Sequence, residues 1–288
     1  MKKSVLWFLA GVLTLASFFY QWRTGPTHPL RGRETLCGRD VSYRLERSGV
    51  ITRPLRLKVP VPKESGITGT VEYQRFKKGD AWKPERTVDM TNELVSLTHG
   101  GKKAVPALTA PLLWPGSEEG RAPMAGKLAY KVTLSCGDEK AVLNGGRPVV
   151  IRFRGDVPAW AIIPHILIMF LAILLGVAAG LEALRPGGRP RVLAFWTLIL
   201  LFLGGFILGP LMQKYAFGAL WTGFPLGTDL TDNKTLIVFL GWLAALLLGR
   251  KGRGTRFWIL GAALMMLVVY LIPHSLLGSE FDYTSLGR

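Results

Sequence analysis

The chain is 288 residues long, 49% hydrophobic, and carries a formal net charge of +17 with a mean hydropathy of +0.28. A soluble globular chain rarely combines these values. Apolar spans with basic flanks combine them naturally, because Lys and Arg hold membrane proteins in orientation. No helix-turn-helix, zinc-finger or RNP-type pattern accompanies the charge, so nucleic acid is set aside as a partner.

Lys2 and Lys3 precede an apolar run from Val5 to Tyr20. A short basic head and such a run fit either a cleaved signal peptide or an anchor. The following Phe18-Phe19-Tyr20-Gln21-Trp22-Arg23 is bulky where a cleavage site needs small residues. Residues 1–22 therefore read as an uncleaved signal-anchor helix, with Trp22 in the interfacial belt.

Residues 23–157 are more charged and contain no run long enough to span a bilayer. Leu55 to Val59, Val71 to Phe76, Leu128 to Leu134 and Val149 to Phe153 alternate apolar and polar residues, wholly or in part. Period two buries one face and wets the other, as in antiparallel sheet. Pro62 to Gly66, Lys78-Gly79-Asp80, Gly100-Gly101 and Asn144-Gly145-Gly146 punctuate these runs as turns. Short strands so divided predict an all-β sandwich. Cys37 and Cys136 are the only cysteines, and neither lies in a CxxC, so zinc and thioredoxin-like chemistry have no support. In an exported domain they read most simply as one disulfide, the alternative being two unpaired thiols.

The order Tyr73, Arg75, Trp82, Val88, Met90, Leu94 to Leu97 and the Tyr130 strand resembles immunoglobulin-like sandwiches of the fibronectin type III or early-set kind, over about 110 residues. It is also similar to the extracytoplasmic domain of certain multi-span bacterial membrane proteins. The resemblance implies a fold and no function. In such a fold, Cys37 ahead of the first strand and Cys136 at the end of a late one could meet.

From residue 158 the chain predicts a four-helix transmembrane bundle: Ala159 to Leu184, Val192 to Met212, Thr235 to Leu248 and Phe257 to Ile272, the third needing its flanks from Leu230 to Gly249. Arg185, Arg189 and Arg191 lie in one short loop, and Arg250, Lys251, Arg253 and Arg256 in another, with no acid in either. The positive-inside rule puts both loops and Lys2-Lys3 in the cytoplasm. Five spans then leave residues 23–157 and the C-terminus extracytoplasmic, on the outer face of a bacterial inner (cytoplasmic) membrane.

His165 and His274 each follow a proline near the outer ends of two spans. Ionisable groups in spans are costly and point to function. Two imidazoles at similar depth could clamp haem b or a metal ion. The plainer reading has both hydrogen-bonded to backbone freed by Pro164 and Pro273. The aromatic, Gly-rich stretch from Gln213 to Lys234 is expected to lie at the interface or dip into the bundle. There Asp232 or Thr231 is expected to cap the next helix, and Trp221, Asp229, Asp232 and Asn233 form a candidate ligand or partner loop. Glu182 reads as an interfacial residue. The methionines read as packing, and Gly176 with Gly180 as a helix-contact device. Walker A, HExxH, CxxCH and GxSxG patterns are all missing, so no reaction is indicated. The leading expectation is a non-enzymatic membrane protein whose sandwich binds a partner or ligand, an accessory or structural subunit beside other membrane or periplasmic subunits. The alternative is a haem-, metal- or quinone-binding redox subunit using His165 and His274.

Overall fold

The structure, a computed structural model, describes residues 2–53, 55–96, 104–249 and 252–273. They fall into two compact units: Thr27–Asp156, and the residues up to Pro26 together with those from Val157 onward.

The first unit is built from eleven strands: β1 (Leu30–Leu36), β2 (Arg39–Leu45), β3 (Ser48–Val50), β4 (Leu55–Pro60), β5 (Thr68–Arg75), β6 (Arg86–Asp89), β7 (Thr91–Ser96), β8 (Ala104–Leu112), β9 (Lys127–Cys136), β10 (Glu139–Val142) and β11 (Val149–Arg154). One sheet has the order β3-β11-β9-β5-β6, with β10 also paired to β9; a second has the order β4-β8-β7; β1 and β2 form a separate hairpin. All pairings are antiparallel except β3 with β11, which is parallel. The alternation decides which side chains turn inward. Leu57 and Val59 of β4, Val71 and Tyr73 of β5, Leu108, Ala110 and Leu112 of β8, and Leu128, Tyr130, Val132 and Leu134 of β9 share one core with Val149, Ile151 and Phe153 of β11. Trp114 closes over Phe153 edge to face. Burial of this apolar area is the main stabilising term, at roughly 25 cal/mol per Å².

The disulfide between Cys37 and Cys136 is present, with Cα atoms 6.2 Å apart. Cys37 does not precede the first strand, as the resemblance implies. It forms the tip of the β1–β2 hairpin, where Cys37 and Gly38 both take positive φ, 49° and 70°. A two-residue turn of this hand matches the right-handed strand twist. The bridge thus ties one hairpin tip to the turn end of another, β9–β10, and the Cys37 amide donates to Glu139 Oε2 at 2.7 Å.

The second unit is helical: α1 (Lys3–Thr24), α2 (Ala159–Leu184), α3 (Pro190–Leu201), α4 (Gly209–Phe217), α5 (Leu230–Leu248) and α6 (Gly252–Leu271). Among the described residues, five stretches are long and apolar enough to cross a membrane: Lys3–Thr24, Ala159–Leu184, Pro190–Phe217, Leu230–Leu248 and Gly254–Leu271. The third comprises α3 and α4 joined by a π-helical stretch, Phe202–Leu208. Pro210 explains the change of pitch. It has no amide hydrogen, and its ring would meet the carbonyl four residues back. The backbone widens instead, and Gly209 N donates to Gly204 O.

Small residues let these helices approach. A Cβ on Gly180 would lie 2.6 Å from Ala263 Cβ, and one on Gly176 would lie 2.3 Å from Met266 Cε. Trp242 fills the centre and donates through Nε1 to Met266 Sδ at 3.4 Å. The bundle has a fifth member beyond the expected four, because Leu6 and Ala10 of α1 are buried in the same core. Gln21 Nε2 also donates to Tyr270 O of α6. The outer surface carries Phe8, Phe19, Trp22, Leu167, Phe195, Phe257 and Val268, all exposed. An apolar exterior of this extent suits lipid, not water.

Candidate functional site

Polar side chains gather at the two ends of the helical unit. At one end α4 stops at Gly218, whose φ of 84° turns the chain. The segment that follows is held by aromatic contact: the Trp221 ring stacks on Phe206 at 5.5 Å, and Phe206 meets Phe239 at 4.9 Å. Trp221 Nε1 donates to Phe224 O at 3.0 Å. The stretch from 218 to 229 therefore folds back onto α5 and the π-helical stretch.

Asp229 caps α5, its Oδ1 accepting from Thr231 N at 2.8 Å. This corrects the expectation that Asp232 or Thr231 would cap. Both are already inside the helix, in its first turn. Asp232 is turned back toward the loop and is 7% exposed. Its Oδ2 accepts from Thr222 N at 2.6 Å, Thr222 Oγ1 at 3.2 Å and Gln213 Nε2 at 3.2 Å. Asn233 Oδ1 accepts from Phe224 N at 2.7 Å. One acidic turn thereby satisfies two loop amides that lipid could not. Lys234, 2% exposed, reaches across to donate to Ile272 O at the end of α6. Gln21 Nε2 on Tyr270 O makes a second side-chain bond at that end of α6.

His165 lies on the second span, against the widened backbone. Its Nδ1 is 3.0 Å from Gly204 O. A carbonyl only accepts, so Nδ1 carries the proton and, in the neutral ring, Nε2 is the acceptor. The same carbonyl receives Gly209 N. His165 thus meets backbone, but at a carbonyl of the neighbouring span that already accepts from Gly209 N, not at one freed by Pro164 as expected.

At the opposite end, Glu182 is 9% exposed and holds a two-pronged bond with Arg185: Nε to Oε2 at 2.9 Å and Nη2 to Oε1 at 2.5 Å. The Arg189 amide adds a third at 3.1 Å. The carboxylate raises the pKa of the Arg185 guanidinium above its ordinary value. Arg191 Nη1 donates to Gly249 O at 2.7 Å, and Thr255 Oγ1 donates to the same oxygen at 2.8 Å.

Of the predicted site residues, Trp221, Asp229, Asp232 and Asn233 come together in one loop and helix turn. His165 sits on Gly204, and His274 lies outside the described residues, as does His99. No three His, Cys, Asp or Glu side chains converge as a metal set among the described residues. The sequence alone does not single out Gln213, Thr222 and Lys234; Gly204 reads from it only as half of a Gly204-Gly205 helix-contact pair. The Gly204-Gly205 pair ahead of Pro210, and a lysine at the start of an apolar helix, are the available signals. No protein family, curated protein or solved structure matches the chain.

Proposed function

We propose that this chain is a bacterial inner-membrane protein, held by an uncleaved signal anchor, whose immunoglobulin-like sandwich stands outside the cytoplasm and binds a partner protein or ligand without catalysis. The strand order carries the reading. A parallel β3–β11 edge, followed by β9, β5 and β6 and faced by β4-β8-β7, is the arrangement expected of an immunoglobulin-like module. Such modules present loops and edges to partners, an argument by analogy of fold. The disulfide favours an oxidising compartment for this unit. The crowding of cations at one end of the bundle favours a cytoplasmic position for that end. The role is that of an accessory or structural subunit beside other membrane or periplasmic proteins. Crosslinking in cells, then purification in mild detergent, tests it. Subunits crosslinked through residues 27–156 are expected; a clean monomer from crosslinked cells refutes the binding role.

A second reading is favoured by one observation. A metal-ligating imidazole usually donates its other ring N–H to a carbonyl or carboxylate, and His165 Nδ1 does so to Gly204 O. His165 with His274 then serves a haem, metal or quinone in a redox subunit. An absorption spectrum and elemental analysis of the purified protein decide it: a haem band or bound metal lost in His165→Ala supports this reading, and a colourless, metal-free protein that binds no quinone removes it.

A further inference from the structure

Residues 1–26 and 157–279 contain three acids, Glu182, Asp229 and Asp232. Two of these, Asp229 and Asp232, lie at the end of the bundle that holds Lys234. The other end is nearly all cationic. Lys2, Lys3, Arg185, Arg189, Arg191 and Arg256 flank the helix termini there, and Glu182 is the one carboxylate. Contacts bring together the segments that carry these cations. Lys3 of α1 lies within electrostatic reach of Glu182. The Arg185 guanidinium and the Arg189 backbone amide bond to Glu182, and Arg191 and Thr255 meet at Gly249 O, which places the start of α3 beside the junction of α5 and α6. Glu182 is already filled by Arg185 and the Arg189 amide. It has no capacity left to neutralise the remaining charges.

A like-charged cluster gathered at the end of an apolar bundle is repulsive unless an anion joins it. Water and salt supply this weakly. The exterior just beyond it is lipid-facing, with Phe195, Trp196, Phe257 and Trp258 all exposed. An anion suited to this place has a phosphate at the level of Arg189, Arg191 and Arg256 and acyl chains along the aromatic surface. We propose that this end of the bundle is a binding site for anionic glycerophospholipid, with the headgroup phosphate held by Arg189, Arg191 and Arg256. Guanidinium groups suit the task because their planar fork pairs two phosphate oxygens at once. Basic pockets between helices are the known form of such sites. The inference does not depend on which side of the membrane this end faces, nor on what the sandwich binds.

The test separates a lipid site from a mere orientation signal, which would act during insertion and leave no bound lipid. Full-length protein is reconstituted into nanodiscs of equimolar phosphatidylglycerol and phosphatidylcholine, released, and weighed by native mass spectrometry. The wild type is expected to retain phosphatidylglycerol preferentially. Arg189→Gln, Arg191→Gln and Arg256→Gln together are expected to cut that preference about fivefold or more. Lysine at the same three positions, which keeps the charge but lacks the fork, is expected to restore it only in part. Arg23→Gln with Lys214→Gln, away from the cluster, is expected to leave it intact. Melting in phosphatidylcholine discs shows whether each variant is folded. The excess melting temperature in phosphatidylglycerol discs is expected to shrink between about 50 and about 500 mM salt. Equal retention of both lipids by the wild type overturns the proposal. So does equal loss in the Arg23 and Lys214 control, or stabilisation by inorganic phosphate as large as that by the lipid.

Discussion

Replacing both Cys37 and Cys136 with serine removes the cross-link between the β1–β2 tip and the β9–β10 hairpin. The two residues are 99 apart in sequence, and closing a loop of that length restricts the unfolded chain by about 4–5 kcal/mol. Domains are stable by about 5–15 kcal/mol in total, so this is a large share of what the unit has. The variant retains the shared core of β5, β8, β9 and β11 and is expected to fold, though marginally. Pulse proteolysis of the full-length protein across a urea series reads the survival of the β unit. Its midpoint is expected to fall by about 2 M, given a dependence of about 2 kcal/mol per M for a unit of this size. Wild type unfolded under reducing conditions should follow the variant. A shift below about 0.5 M would refute the reasoning, because the bridge would then not restrict the unfolded chain in the way its span requires.

Three further perturbations bear on the helical unit and one on the β unit. Gly180→Leu drives a side chain into Ala263, whose Cβ would lie only 2.6 Å from a Cβ at position 180, and should cost about 1–3 kcal/mol in detergent melting. Gly261→Ala, with open space around it, should be neutral or stabilising by about 0.5–1 kcal/mol. Asp232→Leu strips the acceptor from Thr222 and Gln213, with an expected loss of about 1–3 kcal/mol and faster hydrogen exchange at the Thr222 amide; unchanged exchange there would mean that the carboxylate does not hold the loop. Burial pushes the Tyr130 phenol's ionisation upward, with Glu46 adding and Arg47 opposing. Its folded pKa lies above the unfolded value of about 10, so its stabilising contribution is complete below that pH and is lost as pH climbs toward the folded value. Alkaline unfolding followed by phenolate absorbance should steepen above about pH 10, and Tyr130→Phe should flatten it.

The spans are legible because their signal is long and one-dimensional. The second is expected at Ala159 to Leu184 and occurs there, and the Leu230 flank needed for the fourth is where α5 begins. The third runs on past the expected Met212, because Pro210 widens the helix without ending it. In the β unit, the alternating runs at 55–59, 128–134 and 149–153 correspond to β4, β9 and β11. β8 is harder to see. It is a middle strand that contains Pro106 and Pro111, residues that normally argue against such a place. The β1–β2 hairpin is charged along much of its length and turns at a cysteine, so neither composition nor turn chemistry marks it. The aromatic loop is visible as unusual, but its internal order is not. Which of Asp229, Thr231 and Asp232 caps α5 depends on where Thr222 and Gln213 lie, and no local spacing encodes that.

Paired reporter fusions test the central claim, that the chain crosses the membrane five times with the β unit outside. Alkaline phosphatase and green fluorescent protein are fused after residues 156, 188, 225 and 250. The account predicts active phosphatase and no fluorescence after 156 and 225, and fluorescence without phosphatase activity after 188 and 250. Fluorescence after 156, or the reverse alternation, would contradict it.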